Sequence, residues 1–405
     1  MMLYRVSKND RNIKGSIHLS GSKSISNRVL IIEALMEQSI VKKNISDSND
    51  TKVMTSLLNS SGTDCDAHDA GTVFRFMTAF LALKKGSWIL TGSERMKERP
   101  VGDLVDSLRE LGAQIEYLGH ENFPPLKITG RKIKGGTIKV HSGISSQFAS
   151  ALLMIAPCMQ NGLTLELTGN IVSQPYIDMT LSLMEYFGVQ HERKANVIQV
   201  PSQSYQPKNI FIESDWSAAS YYYEMAAFSD ELDLTLSGLL ENSFQGDAKI
   251  AVFMENFGIK TSYAGQHINL TKTAGSGNFN FHLNDQPDLA PAMFVVCGGL
   301  SQPASFTGLE HLQYKESDRE DALRNELKKC GISIRKSGDA ITVAGKFIAD
   351  DVMFNTYEDH RMAMSFAPLA MLSGNVLIDN PMVVKKSYPK YWDDLKLLGF
   401  EITKE

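Results

Sequence analysis

The feature of this sequence that most constrains its fold is a repeat of about 70 residues. An amphipathic helix that ends at a glycine and leads into a short strand recurs six times, ending at Gly62, Gly112, Gly188, Gly258, Gly331 and Gly399. Apolar residues keep the i, i+3, i+4 spacing, as at Leu104, Leu108 and Leu111, so one stripe of each helix is predicted to be buried. A glycine just past the last turn is typical of a left-handed C-cap where the chain reverses.

A second recurring element is a helix that is apolar on nearly every side. The six copies begin at Ser22, Gly71, Ser145, Asp215, Asp288 and Asp359, at intervals of 49, 74, 70, 73 and 71 residues. Helices of this kind are enclosed by other elements. The two elements alternate in phase, which predicts six copies of one α/β unit. A chain of 405 residues is too long for one core, so we expect two domains with three units each.

Composition excludes several classes of protein. Apolar residues make up 43% and charged residues 21%, as in ordinary globular proteins rather than disordered chains. The net charge of −5 argues against nucleic-acid binding by bulk charge. Apolar stretches are too short to span a membrane, and Cys65, Cys158, Cys297 and Cys330 lack metal-ligand spacing. We therefore predict a cytoplasmic protein with no metal and no nucleic-acid or membrane partner.

Several of the apolar helices carry cations near their first turn. Lys23 and Arg28 follow Ser22, Arg75 follows Gly71, and Arg361 stands beside His360. A helix N-terminus already offers free N–H groups and partial positive charge, so capping alone does not call for a cation there. Binding of an anionic ligand explains the pattern better than capping does.

The second half of the chain adds acids to this pattern. Lys315-Glu316-Ser317-Asp318-Arg319 places four ionisable groups in five residues, and Asp288 opens an apolar helix. Arg95–Pro100, a basic run in the first half, would by itself be read as a solvated surface segment. Taken together, the motifs predict a cleft between the domains, with anion-binding groups on one side and acid/base groups on the other.

The motifs resemble those of a known enzyme family in both order and spacing. They read GSKSISNR from Gly21, DAGT with Arg75, RMKERPVG, SSQF, SQPYID, KESDR, EDHRMAM and KKSYP. The chain is similar over nearly its whole length to the enolpyruvyl transferases, and within them to 5-enolpyruvylshikimate-3-phosphate (EPSP) synthases. The resemblance implies a two-domain inside-out α/β barrel with three βαβαββ units per domain and the active site in the interdomain cleft. It implies an inserted first domain, residues 21–212, and a discontinuous second domain, residues 1–20 and 213–405.

The resemblance also implies an activity. Family members transfer the enolpyruvyl group of phosphoenolpyruvate to the 5-hydroxyl of shikimate 3-phosphate by addition–elimination, and release phosphate. The reaction belongs to chorismate and aromatic amino-acid biosynthesis. The resemblance further implies a monomeric cytoplasmic enzyme that needs no cofactor or metal and that is a target of glyphosate.

Residue roles carry over from the family motif by motif. Asp288, Glu316 and Lys23 would be catalytic. Shikimate 3-phosphate would contact Lys23, Ser24, Arg28, Ser145, Ser146, Gln147, Ser173, Tyr176, Asp288, His311 and Lys315. Phosphoenolpyruvate would contact Lys23, Gly71, Arg99, Gln147, Arg319, His360, Arg361 and Lys386.

The sequence departs from the common family pattern at a few of these positions. Asp69 stands where asparagine is frequent, and we expect it to cap the helix that begins at Gly71. His311 and Gln313 stand where asparagine and arginine are frequent, which affects the contact expected from His311.

Two other functions are weighed against this one. An enzyme that enolpyruvylates a UDP-amino sugar would carry a reactive cysteine on a first-domain loop, and residues 92–104 contain none. A non-catalytic anion-binding module would have lost the acids or one half of the cations, whereas both sets are present.

Overall fold

The computed structural model describes residues 2–141 and 146–405, apart from the side chain of residue 314. The chain forms two compact units. The inserted unit is Ser22–Ile212, and the discontinuous unit combines Met1–Gly21 with Glu213–Glu405. These bounds differ from the predicted ones only in the assignment of Gly21. Each unit has its own hydrophobic core. In the part of the chain that the structure describes, no helix has the length and hydropathy required to cross a bilayer.

In its described ranges, 22–141 and 146–212, the inserted unit contains three sheets. Two have four strands, in the orders Asp64–Asp66, Gly86–Thr91, Leu126–Gly130, Gln114–Tyr117 and Gly136–His141, Leu163–Thr168, Val197–Val200, Glu192–Lys194. The third has only two strands, Lys42–Lys43 and Ile210–Phe211, paired in parallel. The α-helices are Lys23–Met36, Asn49–Asn59, Gly71–Leu83, Glu94–Lys97, Gly102–Glu110, Ser146–Ile155 and Gln174–Tyr186, with a 3-10 turn at Ala156–Cys158.

The discontinuous unit contains three four-stranded sheets. Their strand orders are Val352–Phe354, Asn375–Asp379, Leu3–Ser7, Glu401–Lys404; Ile259–Ala264, His267–Lys272, Glu231–Ser237, Asn12–His18; and Asn280–His282, Ala304–Thr307, Ala340–Gly345, Ile332–Ser337. The α-helices are Trp216–Phe228, Ile250–Met254, Ala290–Gly299, Arg319–Lys328, His360–Phe366, Ala370–Ser373 and Tyr391–Leu397. The 3-10 helices are Gly246–Lys249, Glu255–Phe257, Pro287–Leu289, Glu310–Tyr314, Ala367–Leu369 and Pro381–Lys386.

All five four-stranded sheets share one topology. A parallel pair, such as Asp64–Asp66 with Gly86–Thr91, is extended by two strands that are antiparallel to each other. In one sheet these two strands are Leu3–Ser7 and Glu401–Lys404, so the first and last strands of the chain pair with each other. The predicted βαβαββ repeat is confirmed in these five copies, while the sixth keeps only its parallel pair. Within residues 2–141 and 146–405 the strands form six sheets.

Five of the six predicted glycine C-caps are observed, one in each complete copy of the repeat. Gly112, Gly188, Gly258, Gly331 and Gly399 all have φ between 75° and 103°, the left-handed region that favours glycine. The prediction is wrong for Gly62. The helix Asn49–Asn59 ends in an extended Ser60, and Asp64–Asp66 then joins the neighbouring sheet. Because no hairpin follows this helix, the chain does not need the sharp reversal that a left-handed glycine supplies.

The helices that are apolar on every side are buried, as predicted. All ten residues of Ala290–Gly299 are buried, as are most residues of Gly71–Leu83 and Trp216–Phe228. Each large apolar side chain buried in this way contributes about 1.5–3 kcal/mol of transfer free energy. The cores behind these helices therefore hold the residues at their starts, such as Gly71 and the N-cap Asp215, at defined places.

Candidate active site

The guanidinium of Arg319 is the centre of a charged cluster in the discontinuous unit. Its Nη1 donates to Asp288 Oδ1 at 2.9 Å, its Nη2 to Glu316 Oε2 at 2.9 Å, and its Nε to Asp359 Oδ2 at 2.8 Å. The Arg319 side chain is 1% exposed. Burial lowers the pKa of a guanidinium, but the three carboxylates outweigh it and raise the pKa of Arg319 above its ordinary value. One cation thus bridges both predicted catalytic acids.

Asp359 has two roles: it caps a helix and it accepts a hydrogen bond from Arg319. It is the N-cap of His360–Phe366, and its Oδ1 accepts from the backbone N–H of Arg361 at 2.9 Å. Its Oδ2 accepts from Arg319 and from the Ser317 hydroxyl at 3.2 Å. Asp359 is completely buried. The cap therefore fixes the orientation of the cation that contacts the catalytic acids.

Asp288 lies between several cations. It belongs to the 3-10 turn Pro287–Leu289, which leads into a buried helix. Its Oδ2 accepts from Arg361 Nη2 at 2.7 Å, and Lys315 Nζ lies 3.9 Å from Oδ1. Burial raises the pKa of the Asp288 carboxyl, but Arg361, Lys315 and Arg319 overcome that effect and hold the pKa well below its ordinary value. Asp288 is therefore ionised at neutral pH.

Glu316 and the remaining lysines complete the cluster. Lys386 Nζ, at the end of the 3-10 helix Pro381–Lys386, lies 3.7 Å from Glu316 Oε1. Glu316 therefore has one carboxylate oxygen beside Arg319 and the other beside Lys386. Burial lowers the pKa of Lys315, although the nearby Asp288 favours its charged form. The cluster contains two carboxylates, Asp288 and Glu316, that can accept or donate protons. It also contains four cations that can bind phosphate: Arg319, Arg361, Lys315 and Lys386.

The two predicted histidines are both buried. His311 is 4% exposed, and neither ring nitrogen has a hydrogen-bond partner among the described residues. Burial and the nearby Lys315 lower its pKa to about 3, so the imidazole is neutral. His360 Nδ1 lies 3.6 Å from Asp359 Oδ1. His311 can therefore contact a ligand by hydrogen bonds but does not supply positive charge.

In the inserted unit, Lys23 begins its helix beside an acid that sequence reasoning missed. Ser22 is the N-cap, with its hydroxyl accepting from the backbone N–H of Ile25. Lys23 Nζ lies 3.3 Å from Asp50 Oδ2, and both side chains are largely buried. Asp50 lies in the first turn of Asn49–Asn59, where its charge suits the helix dipole.

Arg28 connects three helices of the inserted unit, Lys23–Met36, Ser146–Ile155 and Gln174–Tyr186. Its Nε donates to Thr180 Oγ1 at 2.7 Å and its Nη1 to the Ser24 carbonyl at 2.9 Å. Its Nη2 donates to Ser150 Oγ at 3.0 Å and to the Tyr176 carbonyl at 3.2 Å. All four acceptors are neutral, and burial lowers the pKa of Arg28 to about 10. The site therefore contains a buried cation whose hydrogen bonds go to neutral groups.

Gly71 lies against two guanidinium groups. A Cβ at this position would lie 2.5 Å from Arg99 Nη1 and 2.6 Å from Arg75 Nη1. Arg75 Nη1 donates to the Gly71 carbonyl at 3.0 Å, and Gln147 Nε2 donates to Thr72 Oγ1 at 3.1 Å. A side chain at this position would have to displace the guanidinium end of one or both arginines. The predicted residues Gly71, Arg99 and Gln147 thus lie around one helix start.

The cap expected from Asp69 is not the one observed. The N-cap of Gly71–Leu83 is Ala70, and the Asp69 carboxylate accepts a hydrogen bond from the Ser93 hydroxyl. One residue of separation places Asp69 on the loop before the cap position. Its charge is directed to Ser93, which is itself the N-cap of Glu94–Lys97.

The predicted serines lie at two further helix starts. Ser146 is the first residue of Ser146–Ile155 and is buried. Ser173 is the N-cap of Gln174–Tyr186, is buried, and has φ of +56°. A non-glycine residue in this conformation is uncommon and is often found at functional sites. Ser24 is partly exposed in the first turn of its helix. Ser145 lies outside the described residues.

Comparisons with known proteins identify the family of this chain. The family model described as EPSP synthase (3-phosphoshikimate 1-carboxyvinyltransferase) matches residues 7–69 and 59–395. A curated 3-phosphoshikimate 1-carboxyvinyltransferase of Bacteroides fragilis is 46% identical over 395 residues, 96% of each chain. The chain belongs to the EPSP synthase family. The predicted family is thereby confirmed.

Other members of the EPSP synthase family and solved structures extend the comparison. The enzyme of the same name from Vibrio cholerae serotype O1 is 35% identical over 416 residues, covering 96% of this chain and 97% of that one. The structure of EPSP synthase from Acinetobacter baumannii superposes with a TM-score of 0.80 over 100% of both chains, at 20% identity. The enolpyruvyl transferase NikO from Streptomyces tendae has a TM-score of 0.77 at 13% identity, covering 100% of this chain and 99% of that one. These structures show the same fold, which confirms the predicted two-domain α/β class.

Proposed function

We propose that this chain transfers the enolpyruvyl group of phosphoenolpyruvate to the 5-hydroxyl of shikimate 3-phosphate, giving 5-enolpyruvylshikimate 3-phosphate and phosphate. The observation that carries the residue assignment is the Arg319 cluster, in which one buried guanidinium contacts Asp288, Glu316 and Asp359. Such an arrangement keeps two proton-transfer groups beside cations that stabilise a leaving phosphate.

In this proposal the inserted unit binds shikimate 3-phosphate. Arg28, a buried cation bonded to neutral acceptors, takes the substrate carboxylate together with Ser24. Ser145, Ser146 and Ser173 hold the phosphate with Lys23, because hydroxyls and N–H groups at helix starts bind anions. Gln147 and Tyr176 contact the ring. Asp288, Lys315 and the neutral His311 contact the ring hydroxyls by hydrogen bonds.

Phosphoenolpyruvate is assigned to the remaining cations. Its phosphate and carboxylate interact with Lys23, Arg99, Arg319, Arg361 and Lys386, with Gly71, Gln147 and His360 completing the contacts. Arg319 and Arg361 now donate to Asp288. When they turn toward a substrate phosphate, an oxygen of Asp288 is released and its basicity rises.

The chemical steps follow from these assignments. Glu316 donates a proton to C3 of phosphoenolpyruvate while the 5-hydroxyl oxygen attacks C2 and gives its proton to Asp288. The tetrahedral intermediate then loses phosphate, which takes up the proton held by Asp288, and a proton of C3 returns to Glu316. Lys23 shares in the proton transfer. The cations offset the charge that develops on the departing phosphate.

The proposal also covers the working state of the enzyme. We infer a monomer in the cytoplasm that uses no metal or cofactor. All four cysteines are free thiols, which suits a reducing compartment. Size-exclusion chromatography with light scattering measures the oligomeric state directly.

Phosphate release tests the activity. Purified protein is incubated with phosphoenolpyruvate, with and without shikimate 3-phosphate, and the enol ether product is identified by mass spectrometry. Release that requires both substrates and persists with a chelator is the expected result. Binding of shikimate 3-phosphate without phosphate release would instead indicate an anion-binding module.

A further inference from the structure

The sheet that lacks its hairpin leaves part of the inserted unit uncovered. In the five complete copies, two antiparallel strands extend the parallel pair. Lys42–Lys43 pairs only with Ile210–Phe211 in the described part of the chain, and Asn49–Asn59 runs directly into the next sheet. The position that a hairpin fills elsewhere is therefore open beside this strand and helix.

A cavity of about 710 Å³ lies at this place. Its walls include Lys42 from the two-residue strand and Leu58 from the helix that follows it, and the wall also contains Leu30, Ala34 and Phe80. The volume lies within the range of about 300–1,000 Å³ that is usual for small-molecule sites. The lining is about half apolar and half polar, so the cavity suits a ligand that has both an aromatic or aliphatic body and a polar group.

The charges around the cavity favour an anion. Three lysines and two glutamates line it, and Lys42 is paired with Glu33. Lys132 is exposed and has no hydrogen bond or ion pair to any described residue. Lys84 lies over the Trp88 ring at 4.8 Å from its centroid and has no carboxylate partner among those residues. Because Lys84 also follows a helix C-terminus, which offsets part of its charge, Lys132 is the main anchor for an anionic group.

We infer that this cavity is a binding site for a small amphipathic anion, with the apolar body between the helices and the acidic group at Lys132 and Lys84. The site is separate from the residues assigned to the two substrates. The inference does not depend on the proposed transferase activity.

The test uses the aromatic sulfonate 8-anilinonaphthalene-1-sulfonate as probe on the full-length protein. Fluorescence titration is done with excess shikimate 3-phosphate present, so that the substrate site does not contribute. We expect saturable binding that weakens about threefold to tenfold in Lys132→Glu, where an attractive pair becomes a repulsive one. Lys134→Glu is the matched control, because Lys134 is exposed, two residues away, and not part of the cavity wall.

Two further measurements locate the probe. Ala34→Trp fills the cavity and should abolish binding, with folding checked by circular dichroism. Cys158 lines the cavity and is exposed, whereas the other three cysteines are buried. Its alkylation by N-ethylmaleimide should slow when the probe is bound. Equal binding in Lys132→Glu and Lys134→Glu, or an unchanged alkylation rate at saturating probe, would overturn the inference.

Discussion

Arg319 donates a hydrogen bond of 2.9 Å from Nη1 to Oδ1 of Asp288, a residue 31 positions earlier in the chain. The same guanidinium contacts Glu316 and the buried cap Asp359. Arg319, which contacts the proposed base Asp288, is thus itself positioned by Asp359, the N-cap residue of a helix. Function and local stability therefore depend on the same few side chains, and variants should separate the two.

Removing the carboxylate of Asp288 should reduce turnover with little loss of substrate binding. We expect Asp288→Ala to lower kcat by about 10²–10⁴-fold, the usual contribution of a general base. Steady-state phosphate release and calorimetric binding of shikimate 3-phosphate measure the two effects. Asp285→Ala, in the same segment but outside the cluster, should keep normal turnover. Normal kcat in Asp288→Ala would exclude the role.

Arg319 should also be needed for stability. Arg319→Met leaves three carboxylates without their shared cation, and loss of one partner of a buried ion pair costs about 3–5 kcal/mol. Arg324→Met on the same helix removes pairs with Glu320 and Asp321 at a more exposed position, where about 0–1 kcal/mol is expected. Urea unfolding of both variants gives the comparison. Similar losses in the two would contradict the central position of Arg319.

A methyl group on Gly71 should weaken phosphoenolpyruvate binding. The new Cβ would lie 2.5 Å from Arg99 Nη1, so the guanidinium must move. We expect Gly71→Ala to raise the KM for phosphoenolpyruvate and to leave the affinity for shikimate 3-phosphate nearly unchanged. Gly62→Ala is the control, since its nearest contact would be Ser60 Oγ at an ordinary 3.4 Å. An unchanged KM in Gly71→Ala would argue against Arg99 as a phosphoenolpyruvate ligand.

Glu224 should make the protein less stable as the pH rises. Its carboxyl is completely buried, neither oxygen has a hydrogen-bond partner among the described residues, and burial raises its pKa well above 4.5. The folded state therefore keeps a proton that the unfolded state loses above about pH 4.5, so unfolding becomes more favourable with increasing pH.

Replacement of Glu224 by glutamine tests this sign. Glu224→Gln should gain stability relative to the natural protein by up to about 1.4 kcal/mol per pH unit above pH 4.5, the value for one proton. Urea unfolding of both proteins across this range gives the difference. Glu401→Gln, at an exposed position, should show no such trend. Parallel curves for Glu224→Gln and the natural protein would refute the buried-acid explanation.

The repeat and the helix starts could be predicted because both follow from local patterns. Apolar spacing indicated the helices, and polar residues indicated where they begin, as at the N-caps Ser22 and Asp359. The error at Gly62 arose because a glycine after a helix does not tell which sheet receives the next strand. Sheet membership is decided by long-range pairing, here of Asp64–Asp66 with Gly86–Thr91.

The contacts of the site could not be predicted from the sequence because they join distant residues. Asp359 was visible as a helix start, but its bond to Arg319 spans 40 positions, and the pairing of Asp50 with Lys23 had no local signal. The sequence by itself determined the six-unit α/β plan, the family and the set of charged groups, since these depend on composition and spacing along the chain. Only the tertiary structure decided which acid holds which cation and which groups lose their water, because distance and burial are set by how the units' helices pack.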